Sequence, residues 1–200
     1  MDKFFNLIKP HMTEKAFQIL YIIMTKKLPD AWTRPTSSTG KHHLKADGKV
    51  QTTIEHTYEM VYAAIKIARA FKIESVTSDM DVLLFILALH DSMKYGETGQ
   101  MFHTHKGHDR LIGDKIRDAR ETMTMIFNDE QCTLLEEGVR FHSGQWSTGL
   151  KKVGKENFKW KNYHPITMVV HMLDMLSTND LLKSDWNDGL LVEKVNDENN

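Results

Sequence analysis

From Val82 to Leu89 every residue is apolar, and the run stops abruptly at His90-Asp91, with Lys94 just beyond. A segment that is apolar all round is buried all round, so this one belongs at the centre of whatever the chain folds into. A histidine and an aspartate closing such a segment cost free energy in a dry interior unless something satisfies them. A divalent metal ion would satisfy both, because imidazole and carboxylate are its ordinary protein ligands. The chain carries 11 histidines among 200 residues, so the positions of the others decide whether the pair has company.

Helical spacing recurs along most of the chain. It predicts helices over Thr13 to Lys27, with Thr13 as N-cap and Pro29 as stop, over Ile54 to Phe71, with His56 in its first turn, and over Asp79 to about Lys94. Further helices are predicted from about His108 to Phe127, from Asp129 to about His142, and from about Pro165 to Leu182, the last opening on a proline whose missing N–H costs nothing there. Residues 29 to 52 and 147 to 162 lack periodicity and read as long polar connections. No run alternates as a half-buried strand does, so the fold class is all-α: a single-domain bundle of about six helices. The expected organisation is an N-terminal helical extension over 1–35, a core domain over 36–183 and an acidic tail over 184–200 that frays.

Composition narrows the function. With 26 basic and 27 acidic residues and a net charge of -1, no global positive field draws the chain onto nucleic acid or an anionic membrane. An anionic ligand must be caught locally. The lone cysteine, Cys132, forbids an intrachain disulfide and suits a reducing compartment, so a cytoplasmic location is expected. The first ten residues are too short and too charged for a signal-peptide core, and no apolar run reaches membrane-spanning length.

The candidate ligands are spread one or more to each central helix: His56, then His90 and Asp91, then His108, His142 and Asp174. Helical bundles assemble metal sites from facing helices in this way, and such a set suits one or two first-row ions. His142 can also be a C-terminal histidine favoured by the helix dipole, but the Gly144-Gln145-Trp146 that follows points to a ligand. His171, one turn before Asp174, reads as a supporting or core histidine, and His103, His105 and His164 as surface or loop residues, with His105 the alternative to His108. Trp146 is either a surface on which a base stacks or a buried loop anchor. The stretch 150–164, with its lysines and Phe158, Trp160 and Tyr163, is either a patch for nucleotide or single-stranded nucleic acid or a solvated loop.

The order His, His-Asp, Asp resembles the HD superfamily of metal-dependent phosphohydrolases. Ile54-Glu55-His56-Thr57 looks like its first-histidine motif and Leu89-His90-Asp91-Ser92-Met93-Lys94 like its namesake motif. Gly107-His108, His142-Ser143-Gly144 and Val170-His171-Met172-Leu173-Asp174 resemble the extra motifs of members that hold two metals. The resemblance spans roughly residues 36 to 180. It is nearest to small phage and bacterial HD proteins, through Ser38-Thr39-Gly40-Lys41-His42-His43 and His142-Ser143-Gly144-Gln145-Trp146, and looser to HD-type 3′-to-5′ exoribonucleases and diadenosine tetraphosphate hydrolases. Met93 stands where the family usually has glycine, and the interval from His108 to Gly113 is one residue longer than its common form.

The resemblance implies an HD-type helical bundle with one or two divalent ions (Mn, Fe, Co, Ni or Mg). One ion would sit on His56, His90, Asp91 and Asp174, and a second on Asp91, His108 and His142, with Asp91 bridging. A hydroxide between them would attack phosphorus, Lys94 would neutralise a substrate phosphate, and His43 would bind or protonate the leaving group. Thr39, Lys41 and Trp146 would complete the substrate site. The function so implied is hydrolysis of a phosphate ester, with a nucleotide or small nucleotide derivative as the phosphorylated substrate. The alternatives are a phosphodiesterase acting on cyclic oligonucleotides or RNA 3′ ends, and a catalytically idle fold that binds a nucleotide or a protein.

Overall fold

A computed structural model describes residues 1–28, 32–37, 43, 45, 48–73, 77–99, 101, 103–148 and 158–178. The chain is all-α, with no strand among the described residues beyond isolated bridges such as Pro35 with Thr52. The helices are α1 (Asp2–Ile8), α2 (Glu14–Ile22, prolonged by a π-turn over Ile23–Lys27), α3 (Thr53–Ala70) and α4 (Ser78–Leu89). They continue with α5 (His108–Asp118), α6 (Arg120–Met123), α7 (Asp129–Phe141) and α8 (Pro165–Thr178). No helix among the described residues is long and apolar enough to cross a membrane.

The apolar run behaves as its composition demands. Leu84, Phe85, Ile86, Leu87 and Leu89 of α4 are fully or almost fully buried, and each such side chain contributes about 1.5–3 kcal/mol relative to exposure. Helix α7 lies against α4, α5 and α8, and α3 against α1, α4 and α8, so α4 is enclosed. Gly138 of α7 lets α4 approach, because a Cβ there would meet Ile86 Cδ1 at 2.5 Å. Phe127 closes one end, edge-on to Phe85 at 5.1 Å between centroids.

Several boundaries differ from the periodicity reading. Helix α4 ends at Leu89, and residues 90–95 continue as hydrogen-bonded turns, with Ser92 N–H donating to Leu89 O and Lys94 N–H to Asp91 O. The helix predicted from His108 to Phe127 is broken at Ala119, leaving the short α6 and a turn before α7. Thr13 precedes α2 as expected but does not cap it with its side chain. Its N–H and Oγ1–H donate instead to the buried Asp81 of α4, at 2.9 and 2.6 Å. Helix α1 was not foreseen; it buries Phe4, Phe5 and Ile8. These additions bring the count to eight α-helices among the described residues, against about six expected. Pro29, the end of the last predicted helix beyond Thr178, and the tail over 184–200 lie outside the described residues.

The long connection before α3 is pinned where it is described. Thr36 N–H donates to Gln51 O, Thr53 N–H to Arg34 O and Ile54 N–H to Trp32 O, while the buried Trp32 donates from Nε1 to Met24 O at 2.8 Å. Arg34 stacks over Tyr95 at 4.0 Å and donates to the carbonyls of Gly99 and Met101, and Tyr95 Oη donates to Pro35 O. The strap therefore crosses the turn that follows His90-Asp91.

Candidate metal centre

Four helix ends and one mid-helix position converge. A capping box of Thr52 with Glu55 starts α3 and sets His56 in its first turn. Leu89 ends α4 and hands over to His90-Asp91, His108 opens α5, His142 follows the last residue of α7, and Asp174 projects from α8. His56, His90, Asp91 and His142 are at most 3% exposed.

The imidazoles are oriented by their outward-facing nitrogens. Nδ1 of His90 lies 2.8 Å from Leu87 O, Nδ1 of His142 2.7 Å from Val139 O, and Nδ1 of His108 3.1 Å from His105 O. A carbonyl only accepts, so each Nδ1 carries the proton and each ring turns Nε2 inward. His56 reaches the same state by another route. Ser177 donates its hydroxyl proton to Asp174 O at 2.8 Å, so its oxygen accepts from His56 Nδ1 at 3.0 Å.

The inward nitrogens crowd together. His56 Nε2 is 3.2 Å from His90 Nε2, and His108 Nε2 is 3.3 Å from His142 Nε2. Two lone pairs facing one another at that distance repel unless a cation or a proton lies between them. Asp91 joins the pairs. Its Oδ2 faces His56 and His90 at 3.9 and 3.7 Å, and its Oδ1 faces His108 and His142 at 3.1 and 3.7 Å. Asp174 Oδ1 adds a further carboxylate oxygen 3.3 Å from His56. Among the described residues, three overlapping groups of side chains could each hold a metal ion: His43 with His56 and Asp174, His56 with His90 and Asp91, and Asp91 with His108 and His142.

Charge in the centre is set by burial against these contacts. Burial pushes the His90 imidazole down to about 3, despite the opposing pull of Asp91. Burial likewise lowers His43, to about 3, and His142. His108 goes the other way: burial would lower it, but the hydrogen bond to Asp91 and the charge of Asp91 raise it. Burial alone would raise both carboxyls, yet Lys94, His90 and His108 hold Asp91 well below its usual range, and His56, His90 and His142 do the same for Asp174. The donor set is thus anionic carboxylates and largely neutral imidazoles, the forms that bind metal.

Around this lies a supporting layer. Lys94 Nζ donates to Asp91 Oδ2 at 2.5 Å and to Thr36 Oγ1 at 3.4 Å. Asp109, next to His108, is buried and accepts from Thr148 N–H at 2.6 Å and from Thr148 Oγ1, which fastens the turn after His142 to the start of α5. His171 Nδ1 donates to His142 O at 2.7 Å, the supporting role read from its position. Its ring also packs so closely on Gly144 that a Cβ there would come within 2.7 Å.

The sequence-derived ligands His56, His90, Asp91, His108, His142 and Asp174 therefore meet, and His43 and Lys94 lie beside them. His105 does not compete with His108: its Nδ1 accepts from Gly107 N–H at 3.1 Å. Trp146 is 53% exposed, so it is no buried anchor. Thr39, Lys41 and most of the lysine-rich stretch 150–164 lie outside the described residues. Ser177, Thr36 and Asp109 were missed. Ser177 had a signal, since a hydroxyl three residues after Asp174 falls on the same helical face. The other two are joined to the centre only by tertiary packing. No protein-family model, curated protein or solved structure matches this chain.

Proposed function

We propose that the protein is a metal-dependent phosphohydrolase of HD type, in which His56, His90, Asp91 and Asp174 would hold one divalent ion and Asp91, His108 and His142 a second. The observation that carries this reading is the division of Asp91: one oxygen faces the nitrogens of His56 and His90, the other those of His108 and His142. A buried carboxylate between two sets of converging imidazole nitrogens has little structural use, because hydrophobic residues of the same volume would stabilise the core at least as well. Paired divalent ions, when bound, supply a water of lowered pKa as nucleophile and positive charge for the phosphoryl oxygens.

The protein side chains do the rest. Asp91 fixes the separation of the two halves, and the backbone carbonyls behind His90, His108 and His142 hold each imidazole in its ligating tautomer. Lys94, anchored to Asp91 and Thr36, brings a cation to the rim for a substrate phosphate. On the His142 side, the exposed Trp146 lies 6.2 Å from the His171 ring at an interplanar angle of 35°, and Trp160 lies 4.9 Å from the same ring at 34°. This aromatic wall favours a substrate with a planar base beside its phosphate, hence a nucleotide or a nucleotide derivative.

The test is hydrolysis by the purified chain of aryl phosphate monoesters and diesters, with Mn²⁺, Co²⁺, Ni²⁺ or Fe²⁺, followed by a panel of nucleotides, cyclic dinucleotides and short RNAs. The reading expects metal-dependent release of phosphate that a chelator abolishes. Hydrolysis of diesters alone would transfer the assignment to a phosphodiesterase. No hydrolysis and no bound metal would overturn both and leave a binding module.

A further inference from the structure

We infer that His43 is a fifth protein donor to the ion on the His56 side of Asp91, and that this half of the centre is built for six-coordination rather than a tetrahedron. The inference rests on the two-ion reading above.

Two donor groups overlap on this side, His43 with His56 and Asp174, and His56 with His90 and Asp91, the ligand atoms in each lying within 4.8 Å of one another. Taken separately they would hold two ions, but both need His56. Its Nδ1 is committed to Ser177, so only the Nε2 lone pair remains. One lone pair serves one ion, so a single ion on this side would have to draw together both groups, His43, His56, His90, Asp91 and Asp174, which lie within 4.8 Å of one another only three at a time.

His43 has the marks of a side chain waiting for a partner. It is 7% exposed, its ring centroid is 4.4 Å from that of His56, and its Nδ1 has no hydrogen-bond partner among the described residues. A buried polar atom left in that state costs free energy. The backbone is also held in the left-handed region, at φ 57, which is strained for a residue that carries a side chain. Gln51 N–H fixes it there by donating to His43 O at 2.8 Å. Both costs are offset if the imidazole ligates a cation.

The count has a chemical consequence. His56, His90, Asp91 and Asp174 alone would complete a tetrahedron, the preference of structural zinc. With His43 added, one position of an octahedron is left for solvent or a substrate oxygen, which suits Mn²⁺, Fe²⁺ or Co²⁺.

Co²⁺ titration of the full chain, read by visible absorption and by equilibrium metal content, tests this. The native chain is expected to give the weak absorption of high-coordinate Co²⁺ at its first equivalent. His43→Ala should weaken that first equivalent by at least ~10-fold and leave the second unchanged, while His43→Gln, which keeps an oxygen donor, recovers part of the loss. Equal urea midpoints for native and variant chains in chelator exclude misfolding as the cause; should His43→Ala not fold, the native spectrum decides alone. Native-like affinity in His43→Ala, or the intense absorption of tetrahedral Co²⁺ in the native chain, would overturn the donor assignment and leave the two-ion reading standing. Failure of the native chain to bind Co²⁺, Mn²⁺ or Fe²⁺ at all would overturn both.

Discussion

The two halves of the centre share Asp91 and little else. In the His56 half, His56 and His90 are fully buried, the Asp174 side chain is 17% accessible, and His43 lies beside them. In the His142 half, His142 is buried, the His108 side chain is 15% accessible, and the donors are three, Asp91, His108 and His142. They differ in protonation as well. Burial lowers His90, His43 and His142, whereas Asp91 raises His108, so a cation entering the second half competes with a proton at His108 more than one entering the first does. With more donors on the His56 side, the proposed first ion is expected to be the tighter, and the second to be the one whose occupancy follows pH.

The sharpest way to break this picture is to remove what the halves share. Asp91→Ala should abolish binding of both ions and lower kcat/KM by at least ~10³-fold, since metal charge stabilisation amounts to several kcal/mol; retention of one tight ion would show that the bridge is not shared. His142→Ala should empty only the second half, reducing bound metal from two ions to one with activity down roughly 10²-fold, whereas His56→Ala should empty the first. Equal losses from the two variants would contradict the asymmetry.

Smaller changes probe the scaffold that separates the halves. Gly138→Ala forces α4 and α7 apart at Ile86 and should destabilise the chain by about 1–3 kcal/mol in urea denaturation, shifting both halves together. His171→Ala removes the donor to His142 O and should weaken the second ion by about tenfold, with little effect on the first.

Acidity gives the subtlest contrast. With a folded-state value of about 3 against 6.5 when unfolded, His90 makes the unfolded metal-free chain bind more protons between those limits, so its contribution makes stability rise with pH across that window. His108, raised, contributes stability that is present below 6.5 and lost as pH rises through its folded value. Chelated His90→Gln and His108→Gln variants should accordingly change the pH dependence of urea midpoints in opposite senses. Changes of the same sign would contradict the assigned protonation.

Much of this arrangement was legible in the sequence because its determinants are local. The run from Val82 to Leu89 fixed the central helix by composition alone, and polar ligand types at its end marked the site. What escaped depends on neighbours. Helix α1 is too short to display a period, and the break at Ala119 carries neither glycine nor proline. Thr13 turned from capping its own helix to the buried Asp81, a partner 68 residues away. His43 was legible as a residue of the site, but its left-handed backbone and its proximity to His56 arise from pairing with the segment before α3.

In the proposed function, Asp91 joins two unequal cation positions. Metal titration of the chelator-stripped native chain with Mn²⁺, followed calorimetrically at pH 6 and pH 8, tests it most directly. Two ions per chain are expected, the first bound tightly at both pH values and the second weaker, gaining affinity at the higher pH with release of a proton. A single ion per chain, or two equivalent ions with the same pH dependence, would contradict it.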